Sequence, residues 1–160
     1  MAKIPVFVSC PTMLNKKQES YNRKIDKILE RFGLERRALG ISDYPVDYPL
    51  KEVYAIAKHC AGGIILGFEQ VYVENGVKKR GTDKEATISS AVFPTPWNHL
   101  EAGILYSLGL PLLIIKEKQV SGGIFDIGTS DKFIHNFDSD LNLDAVFASW
   151  SSNVYKKYRE

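Results

Sequence analysis

Short, almost wholly apolar runs separated by helix-length amphipathic stretches constrain the fold of this chain more than any other feature. The segments 64–68 and 112–115 are strand-sized and contain no charged residue. Such runs are typical of parallel strands covered on both faces, because a strand with one wet face alternates apolar and polar residues. The pattern therefore predicts an α/β sheet with helices packed on both of its faces.

The elements between these runs can be placed from their periodicity and caps. Asn15 and Gln18 have the spacing of a helix capping box, and Thr95 is placed to cap a second helix. Asn75-Gly76 between two β-prone runs predicts an inserted hairpin turn, followed by a polar loop to about Phe93. We predict strands at 4–9, 34–41, 64–68, 112–115 and 133–137, and helices at 15–32, 47–60, 96–109 and 145–158.

The predicted architecture is a single domain over 1–160, of the doubly wound, flavodoxin-like α/β class. It has a mostly parallel five-stranded sheet, helices on both faces, and an inserted β-hairpin and loop at about 69–95. A chain of 160 residues can bury a real core at this size. Little of the chain is left for a second domain.

Composition narrows the classes of partner and compartment. The net charge of +2 gives no case for binding nucleic acid or a membrane surface. Cys10 and Cys60 are isolated and have no metal-ligand spacing, so we expect no metal site. The N-terminus lacks a signal-peptide pattern, and no apolar run is long enough to span a membrane, so a cytoplasmic location is expected.

Glu101 is the candidate catalytic residue. In doubly wound folds ligands bind beyond the carboxyl ends of the strands, and the helix that carries Glu101 begins after a strand and a long loop. Trp97 and Asn98 precede Glu101 by four and three residues, so the three side chains can share one helix face. A carboxylate there can attack or stabilise a sugar cation, and an aromatic ring can stack on a base. The structural alternative is a Glu101 ion pair with a nearby Lys and a core Trp97.

The loops after the first three strands supply the candidate binding residues. Ser9, Cys10 and Thr12 follow the first strand, where hydroxyls and backbone amides can meet ribose or phosphate. Asp43 lies on the second loop and Phe68 ends the third strand. The alternatives are a plain turn and cap for the first loop, a helix cap for Asp43, and a small buried hydrophobe for Cys10.

Several segments resemble the nucleoside 2-deoxyribosyltransferase family. They are Met13–Gln18 with Tyr21, Gly62–Gly67, Glu101–Pro111 and Ile127–Lys132. The resemblance implies that Glu101 is the catalytic glutamate, acting as nucleophile or as stabiliser of an oxocarbenium ion. The structurally related TIR domains offer a second match, because Trp97 to Glu101 reproduces their W-x-x-x-E pattern and residues 4–9 are similar to their opening strand.

The chain departs from the transferase pattern at the residues that handle the base. A strand tyrosine is replaced by Phe7, a strand-opening aspartate by Gly63, and another aspartate is missing from Phe93–Pro96. Nicotinamide is already cationic in NAD and needs less acid help to leave, which favours a nucleotide substrate. NAD would then be a substrate, and no cofactor is expected.

The sequence thus predicts cleavage or transfer of an N-ribosyl bond on a nucleotide or nucleoside, with NAD or a related nucleotide favoured. Ser9, Cys10, Thr12, Asp43, Phe68, Trp97 and Asn98 are the predicted substrate-binding residues. The alternatives are a non-catalytic nucleotide sensor and a TIR-like assembly module. A homo-oligomer is expected under either resemblance, with no nucleic-acid or membrane partner.

Overall fold

A computed structural model describes residues 2–40, 47–138 and 140–160 of the chain. Its centre is a parallel five-stranded sheet in the order β2-β1-β3-β6-β7, with a separate antiparallel pair, β4 and β5. The strands are β1 (Ile4–Ser9), β2 (Leu34–Arg37), β3 (Gly63–Gly67), β4 (Val71–Lys78), β5 (Ala86–Phe93), β6 (Leu112–Lys116) and β7 (Ile134–Asn136). The helices are α1 (Lys16–Arg31), α2 (Pro49–Lys58), α3 (Pro96–Ser107) and α4 (Leu143–Tyr158).

This order confirms the doubly wound, flavodoxin-like class. The chain passes from β1 outward to β2 and then returns to place β3 on the other side of β1. The connections diverge between β1 and β3, and the carboxyl ends of these strands border the crevice where such folds bind ligands.

The two faces of the sheet have separate cores. Alternate strand residues such as Val8 and Leu66 pack with α1 and α4, whereas Phe7 and Ile65 pack with α2 and α3. This two-residue alternation is the pleat of the strands, so sequence parity decides which helices a side chain meets. The apolar stripe of α4 therefore covers the protein's own sheet.

The helix starts follow the chemistry expected from the sequence. The Asn15 side chain accepts from the Gln18 amide at 2.9 Å, and the Gln18 side chain accepts in return from the Asn15 amide at 3.1 Å. Thr95 Oγ1 accepts from the Trp97 amide at 3.3 Å, with Pro96 in the first turn of α3. The cap of α3 positions the first turn of the helix, and with it the candidate site residues that follow.

The inserted hairpin is present, but its predicted turn at Asn75-Gly76 is wrong. Both residues lie inside β4, where Asn75 pairs with Ser89 and Gly76 with Ile88. The chain reverses instead at residues 79–85, where Gly81 has a φ of +79° and the Thr82 hydroxyl donates to the Lys79 carbonyl at 2.7 Å. Residues 86–93, predicted as part of a polar loop, form the strand β5, which pairs with β4 along its length from Ala86 with Lys78 to Phe93 with Val71.

No helix within the described ranges is both long enough and apolar enough to cross a membrane.

Candidate active site

A cavity of about 280 Å³ lies at the carboxyl edge of the sheet, beside the point where the connections diverge. Its wall is assembled from the segments that follow β1, β2 and β3 and from the first turns of α3. The lining residues are Ser9, Cys10, Pro11, Thr12, Leu39, Gln70, Thr95, Trp97 and Glu101. Five of the eight predicted site residues (Ser9, Cys10, Thr12, Trp97 and Glu101) therefore share one wall.

Glu101 brings an ionisable carboxyl to this cavity from the second turn of α3. Burial raises the pKa of Glu101 to about 7, and a hydrogen bond from the Ser9 side chain opposes that rise. A carboxyl with a pKa near neutral pH can donate a proton in one form and act as a nucleophile or an electrostatic partner in the other. The site thus holds a group suited to acid–base or covalent chemistry on a small ligand.

Trp97 and Asn98 have different relations to the cavity although they are neighbours on α3. The Trp97 ring lines the cavity and is 41% exposed, so a planar group can reach it. Asn98 is fully buried and lies behind the wall, where its Nδ2 donates to Ser9 Oγ at 2.8 Å. The predicted direct contact of Asn98 with a ligand is not available to it, because α3 turns that side chain toward β1.

Cys10 lines the cavity but is not activated. The pKa of its thiol is raised to about 11, chiefly by burial, with Arg36 opposing the rise and the nearby Asp26 and Glu101 carboxylates adding to it. The nucleophilic form of cysteine is the thiolate, which is scarce near neutral pH in such a place. Cys10 therefore contributes shape and a weak polar surface rather than a nucleophile.

Two predicted residues are not part of this wall. Phe68 is fully buried on the opposite face of the sheet, where it stacks on Phe137 at a centroid distance of 5.3 Å. Its parity explains the error, because Phe68 continues the Ile64–Leu66 side of β3 toward α1 and α4. Asp43 lies outside the described residues.

A buried carboxylate that the sequence reasoning missed ties the neighbouring strand ends together. Glu117, just after β6, accepts through Oε1 from Gln18 Nε2 at 2.7 Å and from the Glu69 amide at 2.8 Å. Gln18 also donates to the Glu69 carbonyl at 3.1 Å. The cluster links α1, β3 and β6 beside Gln70, which lines the cavity. The position of Glu117 directly after an apolar strand is the signal that could have identified it.

A larger groove of about 750 Å³ lies elsewhere, between the start of β6, β7 and α4. Two exposed ion pairs stand on its wall, Lys132 with Asp131 at 3.2 Å and Lys157 with Glu160 at 3.1 Å. Burial lowers the pKa of His135, which also lines the groove. Most of the charged side chains on the wall of the groove are therefore already paired with an opposite charge.

The basic run at the hairpin tip is remote from the cavity. Lys78, Lys79 and Arg80 lie at the end of strands of eight residues, about 26 Å from the hairpin base that borders the wall. These basic side chains are therefore remote from a ligand held in the cavity. Among the described residues, no group of three or more His, Cys, Asp or Glu side chains is arranged to hold a metal ion.

The chain matches no protein-family model, and no curated protein sequence is similar enough to count as a relative.

Proposed function

We propose that this protein breaks or transfers the N-glycosidic bond of a nucleoside or nucleotide, with Glu101 as the reacting carboxyl. The observation that carries the proposal is a partly buried carboxyl, with its pKa raised to about 7, in a cavity that also presents the Trp97 ring. These are the two groups that the chemistry needs, one for the sugar carbon and one for the base.

The size of the cavity limits what can be enclosed. About 280 Å³ lies near the lower end of ligand pockets, roughly 300–1,000 Å³. That space suits a ribose with one base better than a whole dinucleotide. If NAD is the substrate, its nicotinamide riboside half would occupy the cavity and the remainder would extend along the surface.

The proposed reaction starts with the ionised carboxylate of Glu101 facing C1′ of the sugar. The N-glycosidic bond breaks, and its electron pair goes to the nitrogen of the departing base while the carboxylate bonds to C1′ or stabilises the cation. Water or an acceptor nucleophile then bonds to C1′ and gives up its proton to the departed base or to solvent, and any bond between Glu101 and C1′ breaks to restore the carboxylate. With NAD the nicotinamide leaves neutral, so no proton has to be supplied to it.

The test is incubation with nucleosides, 2′-deoxynucleosides and NAD, followed by mass spectrometry of the products. The native protein should release free base or nicotinamide, and Glu101→Gln should abolish the release while its thermal unfolding stays cooperative. Equal release by both proteins would contradict the assignment of Glu101. Thermal stabilisation by a nucleotide without any release would favour the alternative, a nucleotide sensor.

The expectation of a homo-oligomer remains a prediction, and so does the alternative of an assembly module. Light scattering with and without NAD measures both. A mass that rises only with NAD would favour the assembly module.

A further inference from the structure

We propose that Asn98 is a positioning residue, which acts through the Ser9 hydroxyl to aim the Glu101 carboxylate into the cavity. The inference rests on the proposed function only in making Glu101 the reacting group. The arrangement itself belongs to the free protein and can be measured without a substrate.

The contacts of the Ser9 hydroxyl determine the direction in which it donates its hydrogen bond. Ser9 is 1% exposed at the end of β1, and its Oγ accepts from Asn98 Nδ2 at 2.8 Å. A hydroxyl has one proton and two acceptor positions. Because the Asn98 amide occupies an acceptor position, the proton of Ser9 is left to be donated to Glu101, which lines the same cavity and whose pKa the Ser9 side chain lowers.

The orientation of the Asn98 amide supports the same direction. Within the described part of the chain, Asn98 Oδ1 is buried without a hydrogen-bond partner. Turning the amide over would make Ser9 donate to Oδ1, which would take the donor away from Glu101 and orphan the amide N–H instead. An unpaired buried N–H is rarer than an under-satisfied carbonyl oxygen, so the observed orientation is the better one.

No other described group around Glu101 orients its carboxylate in this way. Cys10 is the other titratable side chain on the wall, and it stays a thiol because its pKa is raised to about 11. The influences on the pKa of Glu101 are burial and the Ser9 hydroxyl, and no described charged residue of β1, of α2 or of α3 itself is among them. Asn98 and Ser9 are thus the polar pair that orients Glu101.

The decisive experiment titrates Glu101 in the free protein, using carbon-13 NMR of the glutamate carboxyls with Glu101→Gln to assign the signal. Ser9→Ala removes the donor with little change of volume, and Asn98→Leu keeps the shape of the amide without its polar atoms. Loss of a hydrogen bond to a charged group should raise the pKa of Glu101 by about one unit in Ser9→Ala. Asn98→Leu should raise it by a smaller amount.

The double variant separates a relay from a local change in burial. If Asn98 acts through Ser9, the titration of Ser9→Ala with Asn98→Leu should match that of Ser9→Ala alone. An upward shift of the same size for Asn98→Leu with and without the Ser9 hydroxyl would overturn the proposal. An unchanged titration of Glu101 in Ser9→Ala would overturn it as well.

The pH dependence of turnover gives a second readout that a merely structural role would not move. The acid limb of the kcat profile should shift upward in Ser9→Ala by the amount seen in the NMR titration, with the rate recovering on the alkaline plateau. Ser149→Ala and Asn153→Ala, which alter the distant groove, are the matched controls and should leave the profile in place. A uniform loss of kcat at all pH values would count against positioning.

The two proposals can fail separately. If no substrate is turned over but the NMR titration of Glu101 shifts as described, the relay stands and the proposed function fails. If turnover depends on Glu101 but its titration ignores Ser9, the function stands and the relay is wrong.

Discussion

The groove beside α4 and the cavity beside α3 rank differently by size and by chemistry. The groove beside α4 is the larger, but its wall carries exposed ion pairs whose charges are already matched. The cavity beside α3 is the smaller, and there a carboxyl, a hydroxyl and an amide converge with little solvent around them. A ligand site is identified by polar groups whose pKa burial has shifted. By that criterion the smaller cavity, and not the larger groove, is the candidate site.

The difference has a topological cause. The small cavity lies where β1 and β3 end side by side, so residues from separate segments of the chain are brought together. The groove lies at the edge of the sheet, where the three-residue β7 pairs only with the last residues of β6. A short edge strand covers little of its neighbour, and the groove lies beside it.

The largest expected effect is on turnover. Glu101→Gln should lower the rate of base release on the order of 10²–10³-fold or more, because it removes the charge that meets the developing cation. Glu160→Gln, the matched change in the groove, should leave the rate within about twofold, since exposed ion pairs contribute little. Comparable losses in both variants, measured by product mass spectrometry, would abolish the distinction between the cavities.

The next effect is on stability. Folded Glu101, with a pKa of about 7, keeps its proton at pH values where the unfolded chain has lost it from a carboxyl of pKa 4.5. The folded state then binds more protons, so the free energy of unfolding falls as pH rises between these values and is level above them. Glu101→Gln cannot ionise, and at about pH 8 it should be more stable than the native protein by about 1–3 kcal/mol.

Denaturant titrations at several pH values measure this difference. It should vanish near pH 4, where both proteins are neutral at this position. Glu160→Gln should show no such trend across that window. A Glu101→Gln variant that is no more stable than the native protein at about pH 8 would mean that burial does not penalise the charge.

A smaller effect is expected on binding. Trp97→Ala should weaken the binding of a nucleoside about tenfold, as stacking of a base on an aromatic ring is worth about 1–3 kcal/mol. Phe133→Ala is the matched change in the groove, where the ring is 85% exposed, and it should leave the affinity unchanged. Calorimetric titration compares them, and a larger loss in Phe133→Ala would move the ligand to the groove.

The smallest expected effect belongs to Cys10. Because its thiol has a pKa of about 11, Cys10→Ser should keep turnover within about threefold, and iodoacetamide should alkylate Cys10 slowly at neutral pH. Mass spectrometry of the labelled protein measures the alkylation. Fast labelling with loss of turnover would make Cys10 the nucleophile and require a new account of the cavity.

Much of the sheet was predictable because local signals and the global fold agree in it. The apolar runs of β3 and β6, the capping box at Asn15 and the cap at Thr95 all act within a few residues of sequence. The hairpin turn was not predictable in the same way. Asn75-Gly76 is a strong turn signal, but pairing β4 with the whole of β5 satisfies more backbone groups than a turn at that point would.

In the candidate site, too, local signals predicted some residues and tertiary contacts decided the others. Glu101, Trp97 and the Ser9–Thr12 loop could be predicted, since strand ends and helix starts meet at one edge of a parallel sheet. The core position of Phe68 and the buried side of Asn98 could not, because each depends on which neighbour a side chain faces. Glu117 was missed because its partners Gln18 and Glu69 are 99 and 48 residues away in sequence.

The sequence by itself determined the class of the fold, its alternation of strands and helices and the carboxyl on α3. These depend on periodicity, caps and residue chemistry, which act over short stretches of chain. Only the tertiary structure decided that Asn98 donates to Ser9 on the wall that Glu101 shares, and that burial raises the pKa of that carboxyl. Desolvation and hydrogen-bond direction arise from neighbours distant in sequence, so they exist only once the chain has folded.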